Sequence, residues 1–376
     1  MAIERITPAQ ARERSARGVP LIDIRDAHER EVAHATASRH VPMTALESSP
    51  ISHVPDLHAP LMLICERGGR SLRAAQRLEA FGYTSVASVD GGTAAWVADG
   101  LPVERAEIDR DFHDRYSRHL RLPQVGLDGQ RRLEAAHVAI VGAGGLGSPI
   151  AYYLGAAGVG TLTIADDDVV DRSNLQRQIL HTDAAIGQPK VASARRAVEA
   201  LNPRLRVHAF AERVAASNVE RLVGEADVVV DGADNFAARY LLNDACVKLG
   251  KPLVYGAVHR FDGQASVFDA GRRRGDAPCY RCLFPEAPPP DAAPNCAEAG
   301  VLGVLPGVIG LVQATEAIKL LLGLGESLAG RLLHFDALAM RFRETRLRPD
   351  PDCAVCSPGR EFPGYTDCET VCATPG

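Results

Sequence analysis

The chain has 376 residues, 46% of them hydrophobic, with a formal charge of -5, which is enough apolar content for two globular cores. Acidic and basic residues are interspersed, so the composition supplies neither a duplex-binding face nor an anionic-membrane anchor, and no nucleic acid or membrane partner is expected. The charged start "MAIERITPAQARERS" lacks the apolar core of an export signal, so the expected location is cytoplasmic, where nine cysteines argue for metal binding or thiol chemistry rather than disulfides.

Along the first hundred residues the pattern predicts a compact α/β alternation: a helix near "TPAQARERSARG", strands at "PLIDIRD" and "PLMLICE", a helix at "SLRAAQRLEAFG", a strand at "SVASVD" and a helix at "GTAAWVADG". Charged "ERAEIDRD" breaks the apolar pattern, which sets a domain boundary between residues 105 and 106; "DFHDRYSRHLRLP" reads as a linker running into a helix. From His137 the order is strand, glycine turn, helix, then the strands "TLTIAD", "RVHAFAE", "DVVVDGAD" and "KPLVYGAV" alternating with helices, which predicts a doubly wound parallel sheet. A proline-rich loop, a helix at "VIGLVQATEAIKLLLG" and two strand-like runs, "LLHFDA" and "RFRETRL", follow, with a loosely ordered tail over 357–376. The apolar stretch Ala299 to Gly325 is interrupted by Pro306, Gln313, Glu316 and Lys319, so it reads as a buried loop and core helix rather than a span.

In "GAGGLGS", Gly142, Gly144, Gly145 and Gly147 sit between a strand and a helix, the place where backbone N–H groups can approach a phosphate. Asp166 ends the next strand about 20 residues on, where a carboxylate can take ribose hydroxyls. These residues alone favour an NAD-dependent oxidoreductase. The following "DDDVVDRSNLQRQILHTDAAIGQPK" adds Arg177, Gln178 and Lys190, more cations and amides than a dinucleotide requires.

"GAGGLGS", "SNLQRQ", "GQPK", "DGADN", "CYRC", "NCAEAG" and "CAVC" occur in one order over residues 109–357. In this the chain resembles the MoeB/ThiF family, the ubiquitin-activating-enzyme-like adenylyltransferases that activate sulfur carriers. The resemblance implies a doubly wound, Rossmann-like ATP-binding domain over 106–356. In that family the C-terminal glycine of a ubiquitin-like carrier ending in Gly-Gly attacks the α-phosphorus of ATP. By match, Arg177 and Lys190 would hold phosphates, Asp166 the ribose, Asn174 a polar edge of the nucleotide, and Asp234 magnesium or the α-phosphate. Arg118 in "RYSRH" resembles an arginine that reaches the neighbouring subunit's site, implying a homodimer. A plainer reading has Asp231 and Asp234 capping the helix that starts near Phe236.

The pairs Cys279/Cys282 and Cys353/Cys356 have the CxxC spacing that lets four thiolates close a structural zinc site, a redox pair being the alternative. Cys296 matches a family position that can attack the adenylate or link to the carrier; Cys246 reads as core, and Cys368 and Cys372 have no assigned role. Cys65 passes from an apolar strand into "CERGGRS" ahead of a helix, with Arg67 and Arg70 beside it. A phosphatase loop of the form C-x5-R is disfavoured because Ser71 stands where the arginine is needed. This loop, with "LIDIRDAHERE" and "DGGTAAW", resembles the rhodanese family, whose loop stabilises a thiolate and then a persulfide; "HATASRHVPM" replaces its usual Gly-His-Ile-Pro-Gly segment. The expectation is a rhodanese-like domain over 1–105 that takes sulfur from a persulfide donor such as a cysteine desulfurase and yields a carrier thiocarboxylate for molybdopterin. The alternatives are a carrier for thiazole synthesis, an NAD-dependent oxidoreductase and a noncatalytic carrier-binding module.

Overall fold

In the computed structural model, residues 3–104, 109–286 and 300–365 are described. Cys296, Cys368, Cys372 and the 105/106 boundary lie outside them. The chain divides into two compact units, Met1–Asp128 and Gly129–Gly376.

The first unit is built on a five-stranded parallel sheet in the order Glu4–Ile6, Val86–Val89, Leu61–Ile64, Leu21–Asp23 and Arg39–His40. Side chains alternate across a strand, so Leu61 and Leu63 enter one core with Ile22, Ala74 and Leu78, while Met62 and Ile64 enter the opposite core with Ile6, Ala11 and Trp96. The unusual "HATASRHVPM" stretch still folds into the sheet: Arg39–His40 forms its edge, and Ala37 takes the left-handed turn (φ 70°) that a glycine would adopt more readily. The stretch "DFHDRYSRHLRLP", expected to run into a helix, carries the helix Arg110–Leu120, capped by Asp109 and buried through Phe112, Tyr116 and Leu120. It belongs to this first unit.

The second unit holds an eight-stranded sheet. Its five parallel strands run in the order Arg206–Phe210, Thr161–Ala165, His137–Val141, Val228–Asp231 and Leu253–His259. Three antiparallel strands extend it: Asp262–Phe268, Arg331–Asp336 and Arg341–Arg346. The expected parallel sheet is therefore mixed, and Asp262–Phe268 is a strand that the sequence reading left unassigned. It returns through a two-residue hairpin with Arg260 at φ 52°, a position without the usual glycine or asparagine signal. The helix Leu305–Leu322 has the length and apolar character to cross a membrane by composition alone. Here it lies on the sheet, with Ile309, Ala314 and Ala317 buried and the Gln313 amide donating to Asp231 O (2.7 Å) and Val254 O (3.3 Å). The strand order reverses between His137–Val141 and Val228–Asp231, which is where an open α/β sheet leaves a crevice at its carboxyl edge.

Candidate functional site

The glycine motif is shaped by packing as much as by any ligand. Gly142 adopts φ 99°, and a Cβ there would lie 2.4 Å from Gly232 O; at Gly147 it would lie 1.9 Å from Gly142 O, inside the first turn of the helix Gly147–Ala157. Gly144 is open except for Gln178 Nε2 at 3.6 Å, and Gly145 faces Pro306. Gly142 and Gly147 thus fix the turn, Gly145 is pressed against Pro306, and Gly144 leaves the surface bare.

That surface borders a cavity of about 380 Å³ in the second unit. Gly142, Gly144, Gly145, Asp166, Arg177, Gln178, Lys190 and Asp234 line it, so most of the residues expected to share a site do share one. Gly147 and Asn174 stand behind the lining: Gly147 packs the helix, and Asn174 Oδ1 accepts from the Arg177 guanidinium at 2.9 Å. Arg118 is exposed on the Arg110–Leu120 helix of the first unit. Cys296 lies outside the described residues.

Asp166, Arg177 and Lys190 are each held by an identifiable partner, whereas the buried Gln178 Oε1 has none among the described residues. The Asp166 carboxylate accepts from the N–H groups of Ala143 (2.7 Å) and Asp168 (2.9 Å), which ties the end of one strand to the glycine loop. Burial raises its pKa, against the pull of Lys190 and those two donors. Lys190 opens the helix Lys190–Leu201; its ammonium is almost fully buried and donates to Asp168 Oδ2 at 2.8 Å. His181 Nε2 faces Ala143 O at 2.9 Å, so it must carry the hydrogen, and Nδ1 then accepts from Ser193 Oγ at 3.1 Å. Burial lowers the pKa of His181, which favours this neutral form. Asp168 and His181 were not legible as site residues, because their roles depend on contacts across the turn rather than on spacing.

Beside the crevice, Asp231 is wholly buried. It accepts from Ala233 N at 2.9 Å and Arg239 Nε at 3.2 Å, yet burial outweighs both and its carboxyl is pushed up to about 6. The cap of the helix Phe236–Leu249 is neither Asp231 nor Asp234 but Asn235, whose Oδ1 accepts from Ala238 N at 2.9 Å. Asp234 is exposed at the cavity.

The four cysteines of the two CxxC pairs converge. Their Sγ atoms lie within 4.8 Å of one another, with separations of 3.6 Å (Cys279 to Cys353), 3.9 Å (Cys279 to Cys282) and 3.4 Å (Cys282 to Cys356). Zinc–sulfur bonds of about 2.3 Å in a tetrahedron require sulfur separations of about 3.8 Å, so the donor set fits zinc. The Asp350 N–H donates to Cys282 Sγ at 3.3 Å, the sort of outer contact that fixes a thiolate. Cys246 is buried apart from them, and burial pushes its thiol up.

In the first unit, Cys65 follows the strand Leu61–Ile64 and faces the start of the helix Gly69–Ala80. Its Sγ accepts from Ser71 N at 3.3 Å and lies 3.4 Å from Ser71 Oγ, whose hydroxyl is fixed by Gly68 O and Ser88 Oγ. The Cys65 and Glu66 carbonyls turn away, accepting from Thr93 N (2.8 Å) and Ala94 N (3.0 Å) at the start of the helix Gly92–Ala98. That approach explains the "DGG": a Cβ at Gly92 would lie 2.1 Å from Cys65 O. Below the loop, the buried Arg25 guanidinium joins Asp23 (2.8 Å) to Glu66 (2.8 Å), which gives "LIDIRD" a structural purpose. With the Cys65 and Glu66 carbonyls engaged elsewhere, the loop presents the Ser71 N–H to the sulfur.

The family model described as "ThiF family" matches residues 116–355, and the model for the "Rhodanese-like domain" matches residues 7–99. The chain is 51% identical over 260 residues to the sulfur carrier protein adenylyltransferase of Thermus thermophilus, covering 69% of this chain and 96% of that protein. It is 47% identical over 271 residues to the adenylyltransferase and sulfurtransferase MOCS3 of Mus musculus, covering 72% of this chain and 58% of that protein. Among solved structures, E. coli MccB crystallised with ATP shares the fold at a TM-score of 0.57 and 20% identity, over 68% of this chain and 77% of that one.

Proposed function

The chain belongs to the ThiF family and carries a rhodanese-like domain, and from that premise we propose that it adenylates the C-terminal glycine of a ubiquitin-like sulfur carrier and then supplies sulfur to the activated carboxyl. The observation that carries this reading is the meeting of Asp166, Arg177, Lys190 and Asp234 around one bare glycine loop. A carboxylate approaching a triphosphate is repelled by it, and cations placed where charge collects relieve that barrier. Arg177 and Lys190 would take the phosphates, with Lys190 exchanging Asp168 for a phosphate oxygen. Asp166 would hold the ribose and Asp234 would orient the α-phosphate or hold magnesium. The carrier oxygen bonds to the α-phosphorus as the bond to the bridging oxygen breaks, and pyrophosphate leaves with that electron pair.

The second step draws on Cys65. A persulfide there would attack the acyl carbon and expel AMP, and a thiol would then cleave the resulting acyl disulfide to leave the thiocarboxylate. The activating region would be 106–356 and the sulfur-handling region 1–105, although the helix Arg110–Leu120 of the former groups with the first compact unit. Arg118, exposed on its helix, would act across a homodimer, and Cys296 would serve as a further acceptor of the acyl group. We favour a carrier of molybdopterin synthesis, because the stretch from "CVKLGKPLVYGAV" to "CAVC" resembles that branch; a thiazole-pathway carrier is the runner-up.

The test is pyrophosphate release from magnesium-ATP with candidate carriers ending in Gly-Gly, for wild type and Asp234→Ala. Release that needs both a carrier and Asp234 supports the reading, and the active carrier names the pathway. NADH binding without release from any carrier would overturn it.

A further inference from the structure

Cys65 lies at a second cavity, of about 660 Å³, that contains more positive charge than its loop provides. Arg70 is spoken for, since it pairs with both Glu29 oxygens at 2.6 and 2.7 Å. Glu66 is drawn off by Arg25. Arg67 from the loop, Arg73 from the following helix and Arg121 also line the cavity, and none of the three has an ion-pair partner among the described residues. Against them stands the exposed Asp26, so the open charge facing the sulfur is positive.

Arg121 is the unexpected member. It is the C-cap of the helix Arg110–Leu120; it lies beyond the 7–99 stretch that matches the rhodanese-like domain and near the start of the 116–355 stretch that matches the ThiF family, yet within the first compact unit. That helix is anchored through Phe112, Tyr116 and Leu120, with Leu127 packed beside them, so its last residue has a defined position. We infer that Arg121 is a substrate-binding residue of the Cys65 site, completing a pocket for a small, doubly charged anionic sulfur donor with a group from outside the rhodanese-like module. The inference rests on reading Cys65 as the sulfur-accepting thiol.

Thiosulfate is the probe. The Cys65 thiolate bonds to its outer sulfur as the sulfur–sulfur bond of thiosulfate breaks, and sulfite leaves with the electron pair. Cyanide then takes the sulfur as thiocyanate and restores the thiolate. Both the entering dianion and the departing sulfite carry charge that Arg121 can meet, and because Arg121 is exposed its contribution is open to screening.

The experiment measures thiocyanate formation by the full chain in wild type, Arg121→Ala, Arg121→Lys and Cys65→Ala. Arg121→Ala is expected to raise the KM for thiosulfate about tenfold while leaving the KM for cyanide in place, with Arg121→Lys recovering part of the loss. Raising the salt from about 0.05 M to about 0.5 M should narrow the gap between wild type and Arg121→Ala. A wild-type KM in Arg121→Ala, with turnover still abolished in Cys65→Ala, overturns the assignment of Arg121 alone. Turnover that survives Cys65→Ala, or none in wild type, overturns the reading of Cys65 and this inference with it.

Discussion

Asp234 and Asn235 divide the work at the head of one helix. Asn235 satisfies the free N–H of Ala238, while Asp234 faces the cavity with no capping bond to lose. Asn235→Ala is therefore expected to cost about 1 kcal/mol of stability, whereas Asp234→Ala should keep the wild-type unfolding midpoint and lose pyrophosphate release. Denaturant melts run beside the release assay check both. Asp231 has a different signature, because its folded pKa of about 6 lies above its ordinary value of 3.8. The folded chain therefore holds this proton more tightly than the unfolded chain. Stability from this group is greatest below pH ~4, falls as the pH rises toward ~6, and is level above that. Measured against Asp231→Asn across that range, wild type should lose ground with rising pH; a flat difference would contradict the burial effect.

At the scale of elements, the glycine turn separates into structural and ligand-facing positions. Gly147→Ala places a methyl 1.9 Å from Gly142 O and is expected to cost about 3 kcal/mol or more by equilibrium unfolding, while Gly144→Ala meets only Gln178 Nε2 at 3.6 Å and should fold. The paired cysteine knuckles, whose four thiols fit zinc, are a second such element. Cys282→Ser should lower bound zinc, measured by elemental analysis, from about one per chain to none. The sequence made these elements legible where chemistry rides on local spacing: the glycines, both CxxC pairs, and Cys65 at a strand end. It was silent where a residue is defined by what crosses over it. Asp168 holding Lys190, His181 bracing the Ala143 carbonyl and Arg25 tying Asp23 to Glu66 all join segments that are apart in sequence and meet only on folding. The strand Asp262–Phe268 escaped notice for a related reason: Gly263 interrupts its apolar pattern, and it is closely overlain by Ile309 and Leu305 of the long helix, a fit that only tertiary structure reveals.

For the molecule as a whole, the two units have separate cores, one pair built around Ile22, Leu63, Met62 and Trp96, the other around Val229, Tyr240 and Phe268. Calorimetry is expected to resolve two unfolding transitions. Magnesium-ATP at about a hundred times its Kd should stabilise only the one belonging to the glycine-loop unit, by about 2.7 kcal/mol. A single transition displaced as one would show that the units unfold together. The separation at Asp234 and Asn235 also has a genetic consequence. A chain altered only at position 234 is expected to fold, persist and still engage its carrier, so it would sequester that carrier from the intact enzyme. Alleles that damage the core are expected to be cleared and recessive, while alleles at 234 should behave as dominant inhibitors.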